Sequence, residues 1–261
     1  MKILVIGDTI IDHEINAIAN GVSLETPTLK GNFLNERYFL GGAAAAARHL
    51  SKLGAHVTLI SATSERHSDL FCDCGVNLIN VDEKFSCMKS RIWLEHGDAS
   101  YKIIQINTDN TISEDKVLDF FSGPFDKLLK DTHFDKLLVS DYRRGMLSNK
   151  VYQKIRSTSV RKIGASQLSS NIPNYQEFLG FDLVVCNEDE AKHIPSNISD
   201  VCITLGKNGC MYENQHYGTK QIEVKNTVGA GDAFLAAFTY SDNPDFANKY
   251  ATEYLQGKYN D

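Results

Sequence analysis

The sequence predicts a doubly wound α/β fold, a mainly parallel sheet flanked by helices, with a small β-sheet added to it. Three observations predict it. Short apolar, β-branched runs alternate with helical patterns along most of the chain, the order that builds a parallel sheet covered on both faces. Three of those runs end in a polar residue, Asp8, Asp141 and Asn187, at the strand ends where such sheets collect ligands. A second group of strand-like segments falls outside the alternation.

The buried strands are read at KILVIGD (2–8), HVTLIS (56–61), KLLVSD (136–141), DLVVCN (182–187) and VCITLG (201–206). Between them, GGAAAAARHLSKLG (41–54) is an alanine-rich helix closed by Gly54. SEDKVLDFFSGPFDKLLK (113–130) begins with an S-x-x-D cap and breaks at Gly123-Pro124. SNKVYQKIRSTS (148–159) is a further serine-capped helix. NFLNERYFL (32–40), KSRIWLE (89–95) and YKIIQIN (101–107) read as antiparallel strands, the last two joined at HGDAS. Trp93 and Ile103 fall on one face, and Ile92, Leu94, Ile104 and Ile106 on the other. A sheet apolar on both sides needs two covers, which a site below and a second subunit above would supply. The expected organisation is one domain over 1–261 with lid segments at about 12–40 and 86–108.

Bulk properties narrow the class. Of 261 residues, 42% are hydrophobic and 23% charged, ordinary for a globular protein. A formal net charge of −6 argues against a nucleic-acid or membrane-surface binder. No apolar run approaches the ~20 residues of a membrane span. The N-terminal MKILVIGDTIID reads as a buried strand, not a signal peptide. The 6 cysteines are scattered; Cys72 and Cys74 form a C-x-C without a second pair or nearby histidine. A reduced, cytoplasmic protein is expected.

The densest chemistry lies in NTVGAGDAFLAAF (226–238). Ala230, Ala233, Phe234, Ala237 and Phe238 recur at helical spacing, so Gly229, Ala230 and Gly231 sit at a helix N-terminus. Unpaired amides and the helix dipole make such an end an anion site, and glycine admits the anion closely. Asp232 in the first turn then suits a base that activates a nucleophile; the alternative is an acidic residue favouring the dipole. Elsewhere, GDTIID places Asp8 and Asp12 where carboxylates bind hydroxyls, or simply in a loop. LGGAAAAA opens a helix with Gly41 and Gly42. In NEDE, Asn187 and Glu190 sit three apart at a strand-to-helix transition, facing metal-bound water or serving structure alone. TLGKNG ends a strand with Thr204, Gly206 and Gly209, suited to a nucleotide or to a plain turn.

Taken in order, these stretches resemble the ribokinase-like (PfkB) family of carbohydrate kinases along nearly the whole chain. The G-A-G-D element carries the likeness most specifically. Within that family the chain looks most like the heptose 7-phosphate kinase domain of ADP-heptose synthase, through GDTIID, ERYFLGGAA, SDYRRG (140–145) and the Ser90-Arg91 pair. The resemblance implies an ATP-dependent sugar kinase acting on a sugar or sugar phosphate. Asp232 would be the base, with the amides of Gly229, Ala230, Gly231 and Asp232 as anion hole. Asn187 and Glu190 would organise Mg²⁺ through water, and Thr204, Gly206 and Gly209 would lie along the ATP. Asp8, Asp12, Gly41 and Gly42 would hold the sugar under the lid. Arg91 would meet the sugar's phosphate and Arg144 the transferred one, unless each is a surface ion pair.

Three departures stand beside the likeness. The asparagine common in the double-glycine motif is Ala45 here. The D-P-K-like element is replaced by GASQLSSN (164–171), and the sequence closes on YATEYLQGKYND (250–261), which leaves the adenine-side wall expected to be short. These features leave a non-catalytic sugar or nucleotide sensor, or a partner subunit, as the competing reading. A dinucleotide-dependent oxidoreductase fits poorly, because GDTIID follows the first strand where G-x-G-x-x-G would be needed.

Overall fold

The computed structural model describes residues 1–167, 173–198, 200–223 and 227–259. Residues 168–171 of the GASQLSSN stretch, Asn226 at the head of NTVGAGDAF, and the final Asn260 and Asp261 lie outside the described residues. In chain order the first half comprises β1 (Lys2–Gly7), β2 (Thr9–Val22), β3 (Leu29–Gly42), α1 (Ala43–Lys52), β4 (His56–Ser61), β5 (Val76–Asn80), β6 (Cys87–His96), β7 (Ala99–Asp109), α2 (Glu114–Ser122) and α3 (Pro124–Asp131). The second half comprises β8 (Lys136–Asp141), α4 (Asn149–Arg156), β9 (Arg161–Ser166), β10 (Leu183–Asn187), α5 (Glu188–Ala191), β11 (Val201–Thr204), β12 (Cys210–Tyr212), β13 (Gln215–Tyr217), α6 (Ala230–Ser241) and α7 (Pro244–Leu255).

A 9-stranded sheet runs β13-β12-β11-β10-β9-β8-β1-β4-β5, parallel from β11 to β5 and closed at one edge by the antiparallel β12–β13 hairpin. Its strands alternate between two cores because successive side chains point to opposite faces. From β1, Ile3 and Val5 pack with α1 and α6, while Leu4 and Ile6 pack with α2 and α4; all four are fully buried. The continuous apolar run of each central strand is thus what a sheet covered on both faces demands. β1 stands between β8 and β4, where the strand order reverses, so a crevice opens at its C-terminal end beside Asp8 and Asp141. No helix among the described residues is long and apolar enough to cross a membrane.

The second sheet has 4 strands, ordered β3-β2-β6-β7. It contains the three strands read from sequence and one that was not, β2, which runs straight on from GDTIID. Its polar residues and register shifts near Asn16/Ala17 and Ala19/Val22 hide the strand pattern. β2 pairs antiparallel with β3 and parallel with β6. The β6–β7 register shifts between Ile92 and Trp93, so Ile104 faces Ile92 and Trp93 faces Lys102, and Ile103 has no opposite residue. The expected Trp93–Ile103 face is therefore broken by a bulge.

Two further expectations move at the edges. Gly41 and Gly42 end β3, and Gly42 also caps the helix, whose first helical residue is Ala43. The strand expected over 201–206 stops at Thr204 and turns at once. The break at Gly123 between α2 and α3 is found where it was read.

Candidate functional site

A cavity of about 490 Å³ opens between the small sheet and the C-terminal ends of the large one. Alternation on β6 brings Lys89 and Arg91 to it, while Ser90 between them turns back, its Oγ 3.1 Å from His13 Nδ1. β2 supplies Asp12 and the end of β3 supplies Gly41 and Gly42. Arg91 Nη1 donates to Asp12 Oδ1 at 2.6 Å. A side chain at Gly41 would put its Cβ 2.5 Å from Asp12 Oδ2, so the glycine makes room for that carboxylate. Ala45, on the same wall, offers only a methyl group.

Asp232 stands in the first turn of α6. Its Oδ1 accepts a hydrogen bond from the Tyr142 hydroxyl at 2.5 Å. Burial pushes its pKa up to about 7, with Asp12 adding to the rise and the Tyr142 donor and Lys89 opposing it. A carboxylate with that pKa is poised to take a proton near neutrality. The helix is capped by Gly229 at φ 82, where a Cβ would also meet the Tyr254 hydroxyl at 2.5 Å. Of the four amides expected to form the anion hole, Ala230 N–H already donates to Thr227 O at 3.2 Å. Those of Gly231 and Asp232 have no carbonyl partner among the described residues, and a Cβ at Gly231 would meet open space.

Two smaller cavities lie at the start of α6. One of about 160 Å³ is lined by Asp141, Tyr142, Asn187, Glu190, Gly231 and Asp232, among others. Another of about 200 Å³ is lined by Thr204, Gly206, Gly209, Gly231, Phe234 and Leu255, among others. Asp232 borders the first two cavities, and Gly231 the last two. The three thus meet around the start of α6.

Some expected residues do other work. Asp8 is buried at 1% exposure and accepts from the amides of Tyr142 (2.9 Å), Arg144 (3.2 Å) and Met146 (3.1 Å). The 142–146 loop thus claims the carboxylate expected to hold a sugar. Burial and the neighbouring Asp141 push the Asp8 pKa up to about 7. Arg144 Nη1 reaches Asp109 on β7 at 2.8 Å, the ion pair that was its alternative reading. Asn187 and Glu190 cap α5 reciprocally: Glu190 N–H donates to Asn187 Oδ1 at 2.9 Å, and Asn187 N–H to Glu190 Oε2 at 2.8 Å. No group of three or more His, Cys, Asp or Glu side chains suited to a metal occurs among the described residues.

Reading the sequence missed Lys89, Tyr142 and Tyr254. Lys89 was reachable by parity from Arg91 on the same strand, and Tyr142 by its place directly after Asp141 at a strand end. Tyr254 comes from α7, whose pattern gave no pointer to the site.

Architecture and site together define a ribokinase-like fold with a carboxylate and a helix N-terminus at the meeting point of its cavities. The profile of the pfkB family carbohydrate kinases matches residues 164–241. The bifunctional protein HldE of Campylobacter fetus subsp. fetus is 28% identical over 273 residues, covering 92% of this chain and 58% of that protein. The chain thus spans somewhat over half the length of the curated relatives it matches. Phosphofructokinase-2 from Escherichia coli, solved in complex with fructose-6-phosphate, superposes with TM-score 0.71 at 15% identity, covering 98% of this chain and 94% of that one. Arabidopsis thaliana ribokinase, complexed with ribose and ATP, superposes with TM-score 0.64 at 17% identity, covering 98% and 92%. The chain is similar to the pfkB carbohydrate kinases in sequence and to ribokinase-like kinases in fold, and these likenesses support a kinase.

Proposed function

We propose that this chain is an ATP-dependent sugar kinase, transferring the γ-phosphoryl group to a hydroxyl of a sugar or sugar phosphate. The observation that carries the reading is the place of Asp232, on the walls of both the 490 Å³ cavity and the smaller one lined by Gly231. The sugar occupies the large cavity against Asp12, Gly41 and Gly42, with the small sheet as its lid. The acceptor O–H bond breaks, its proton passes to Asp232, and the oxygen's electron pair forms the bond to the γ-phosphorus. The bond from that phosphorus to the β–γ bridging oxygen breaks, and its electrons leave with ADP. The Gly231 and Asp232 amides and the dipole of α6 face the charge on the phosphoryl group in flight. Thr204, Gly206 and Gly209 line the nucleotide's side of the site.

Asn187 and Glu190 fit Mg²⁺ through water: both border the middle cavity with oxygen donors, their mutual cap suits an outer-shell role, and Mg²⁺ keeps several of its waters. The ion would neutralise phosphate charge. Arg91, beside Asp12 in the cavity, supports a phosphate on the sugar, and the likeness to HldE supports a heptose 7-phosphate-like one. Arg144 would reach the transferred group once its pair with Asp109 opens.

A non-catalytic sugar or nucleotide binder is the second reading, favoured by Ala45, which leaves only a methyl group on the wall of the large cavity. ADP release from Mg-ATP across free sugars and sugar phosphates, heptose 7-phosphate included, separates the two. Turnover on any of them supports the kinase; tight binding without turnover on all of them supports the binder.

A further inference from the structure

We infer that Tyr142 is a positioning residue for the base: its hydroxyl fixes one oxygen of the Asp232 carboxylate so that the other faces the acceptor hydroxyl. This rests on the kinase reading above. The hydroxyl lies 2.5 Å from Asp232 Oδ1, and Oδ2 has no hydrogen-bond partner among the described residues. A carboxylate held at one oxygen keeps a single orientation, which proton transfer over hydrogen-bond distance requires.

Tyr142 is itself held from below. Its amide donates to the buried Asp8 carboxylate at 2.9 Å, which also gathers the Arg144 and Met146 amides. A Cβ at Gly42 would lie 3.4 Å from Tyr142 Cδ2, so the ring packs against the end of β3. Lys89 Nζ lies 5.7 Å from the ring centroid. The work of Asp8 here is then to set the loop that presents Tyr142, a role one step behind the sugar contact expected of it. Tyr142 borders both the large cavity and the middle one, as Asp232 does.

The charged and titratable groups around the pair come from four other elements. Asp12 on β2 disfavours the Asp232 carboxylate and Lys89 on β6 favours it. Asp12 and Glu190 on α5 act on the Tyr142 phenol, and the Tyr254 phenol on α7 feels Asp232. Arg91 is tied to Asp12. Burial and Asp232 hold the Tyr142 phenol well above its ordinary range, so it remains a donor at every working pH. A donor to a carboxylate stabilises its ionised form.

The test is Tyr142→Phe, which removes one oxygen. We expect kcat to fall roughly ten-fold with the ATP KM changed less than about two-fold, and the acidic limb of kcat/KM to move up by about one pH unit. Aspartate-labelled protein without substrate gives a second readout, the Asp232 carboxyl titration by carbon NMR, its resonance identified by its loss in Asp232→Asn. That titration should move up in Tyr142→Phe. It should move down when 3,5-difluorotyrosine, a stronger donor of similar size, replaces Tyr142; this variant also serves if the phenylalanine one does not fold. Opposite shifts are not the result of a packing role. An Asp232 titration unmoved by either change overturns the inference whether or not any sugar is phosphorylated. Absence of turnover by the wild type on every sugar overturns the kinase reading and leaves the titration to decide Tyr142.

Discussion

Arg91 on β6 and Asp12 on β2 meet at 2.6 Å across two parallel strands of the small sheet, on the wall of the 490 Å³ cavity. Their side chains are only 10% and 17% exposed. Removing one partner of a buried pair leaves the other charge uncompensated, so each depends on the other. Arg91 therefore has two tasks open to it: orienting Asp12, and offering its remaining donors to an anion on the sugar.

Arg91→Ala separates these tasks. If Arg91 meets a phosphate, KM for the sugar phosphate should rise roughly 10- to 150-fold, the effect of about 1.5–3 kcal/mol for a charge-assisted contact, and far more than KM for the unphosphorylated analogue. Steady-state kinetics on the two sugars decides it. Equal rises would confine Arg91 to holding Asp12.

Gly229→Ala should damage the start of α6 in a way that Tyr254 explains. A left-handed residue other than glycine costs on the order of 1–3 kcal/mol, and here the new methyl also meets the Tyr254 hydroxyl at 2.5 Å. A lower Tm and weaker nucleotide binding are expected. Adding Tyr254→Phe removes the nearest atom and should restore part of the loss, leaving the backbone strain. A double mutant no better than Gly229→Ala would mean that the hydroxyl is not the obstacle.

The small sheet makes a further prediction. Phe33 on β3 is 65% exposed, and on β7 Ile103, Ile104 and Ile106 are 45%, 49% and 47% exposed. We propose that a second copy covers this apolar surface, giving a homodimer at micromolar concentration by light scattering. Ile104→Asp should shift the protein to monomer with its circular dichroism unchanged. A wild-type monomer would refute this.

Much of the architecture was legible because burial on two faces imposes a simple pattern. β1, β8 and β10 each carry an unbroken apolar run and β4 one interrupted only by Thr58, and each strand falls within about a residue of its expected place. β2 was not legible, since His13, Glu14 and Asn16 break the apolar pattern and β3 and β6 decide its pairing. β9 and the β12–β13 hairpin are short, and neighbours hold them in the sheet. In the site, the place of Gly231 and Asp232 at the start of α6 was legible because a glycine turn before an apolar helix is a local signal. Asp8 was not: a carboxylate at a strand end looks alike whether it meets a ligand or, as here, three amides of a loop more than 130 residues away.

Asp232→Asn tests the base directly. The amide is nearly isosteric and can still accept from Tyr142, so nucleotide and sugar should bind with little change. The proton acceptor is lost, and general-base catalysis contributes roughly 10²–10⁴ in rate, so kcat should fall by about that factor. The pH profile adds a sign. With its pKa raised to about 7, Asp232 is active only when ionised, so wild-type kcat/KM should climb through that pH, and residual activity in the mutant should lack the limb. Stability runs the other way. The folded state holds this proton from about pH 4, where the unfolded carboxyl titrates, up to about 7, so it binds more protons than the unfolded state across that window. Stability from this group therefore falls as pH rises through the window and levels off above it. Asparagine never ionises, so the Tm of Asp232→Asn relative to wild type should increase from pH 5 to pH 8, as scanning calorimetry at the two values would show. A mutant that turns over at the wild-type rate would leave Asp232 as a favourable charge at a helix end, and the kinase reading would fall with it.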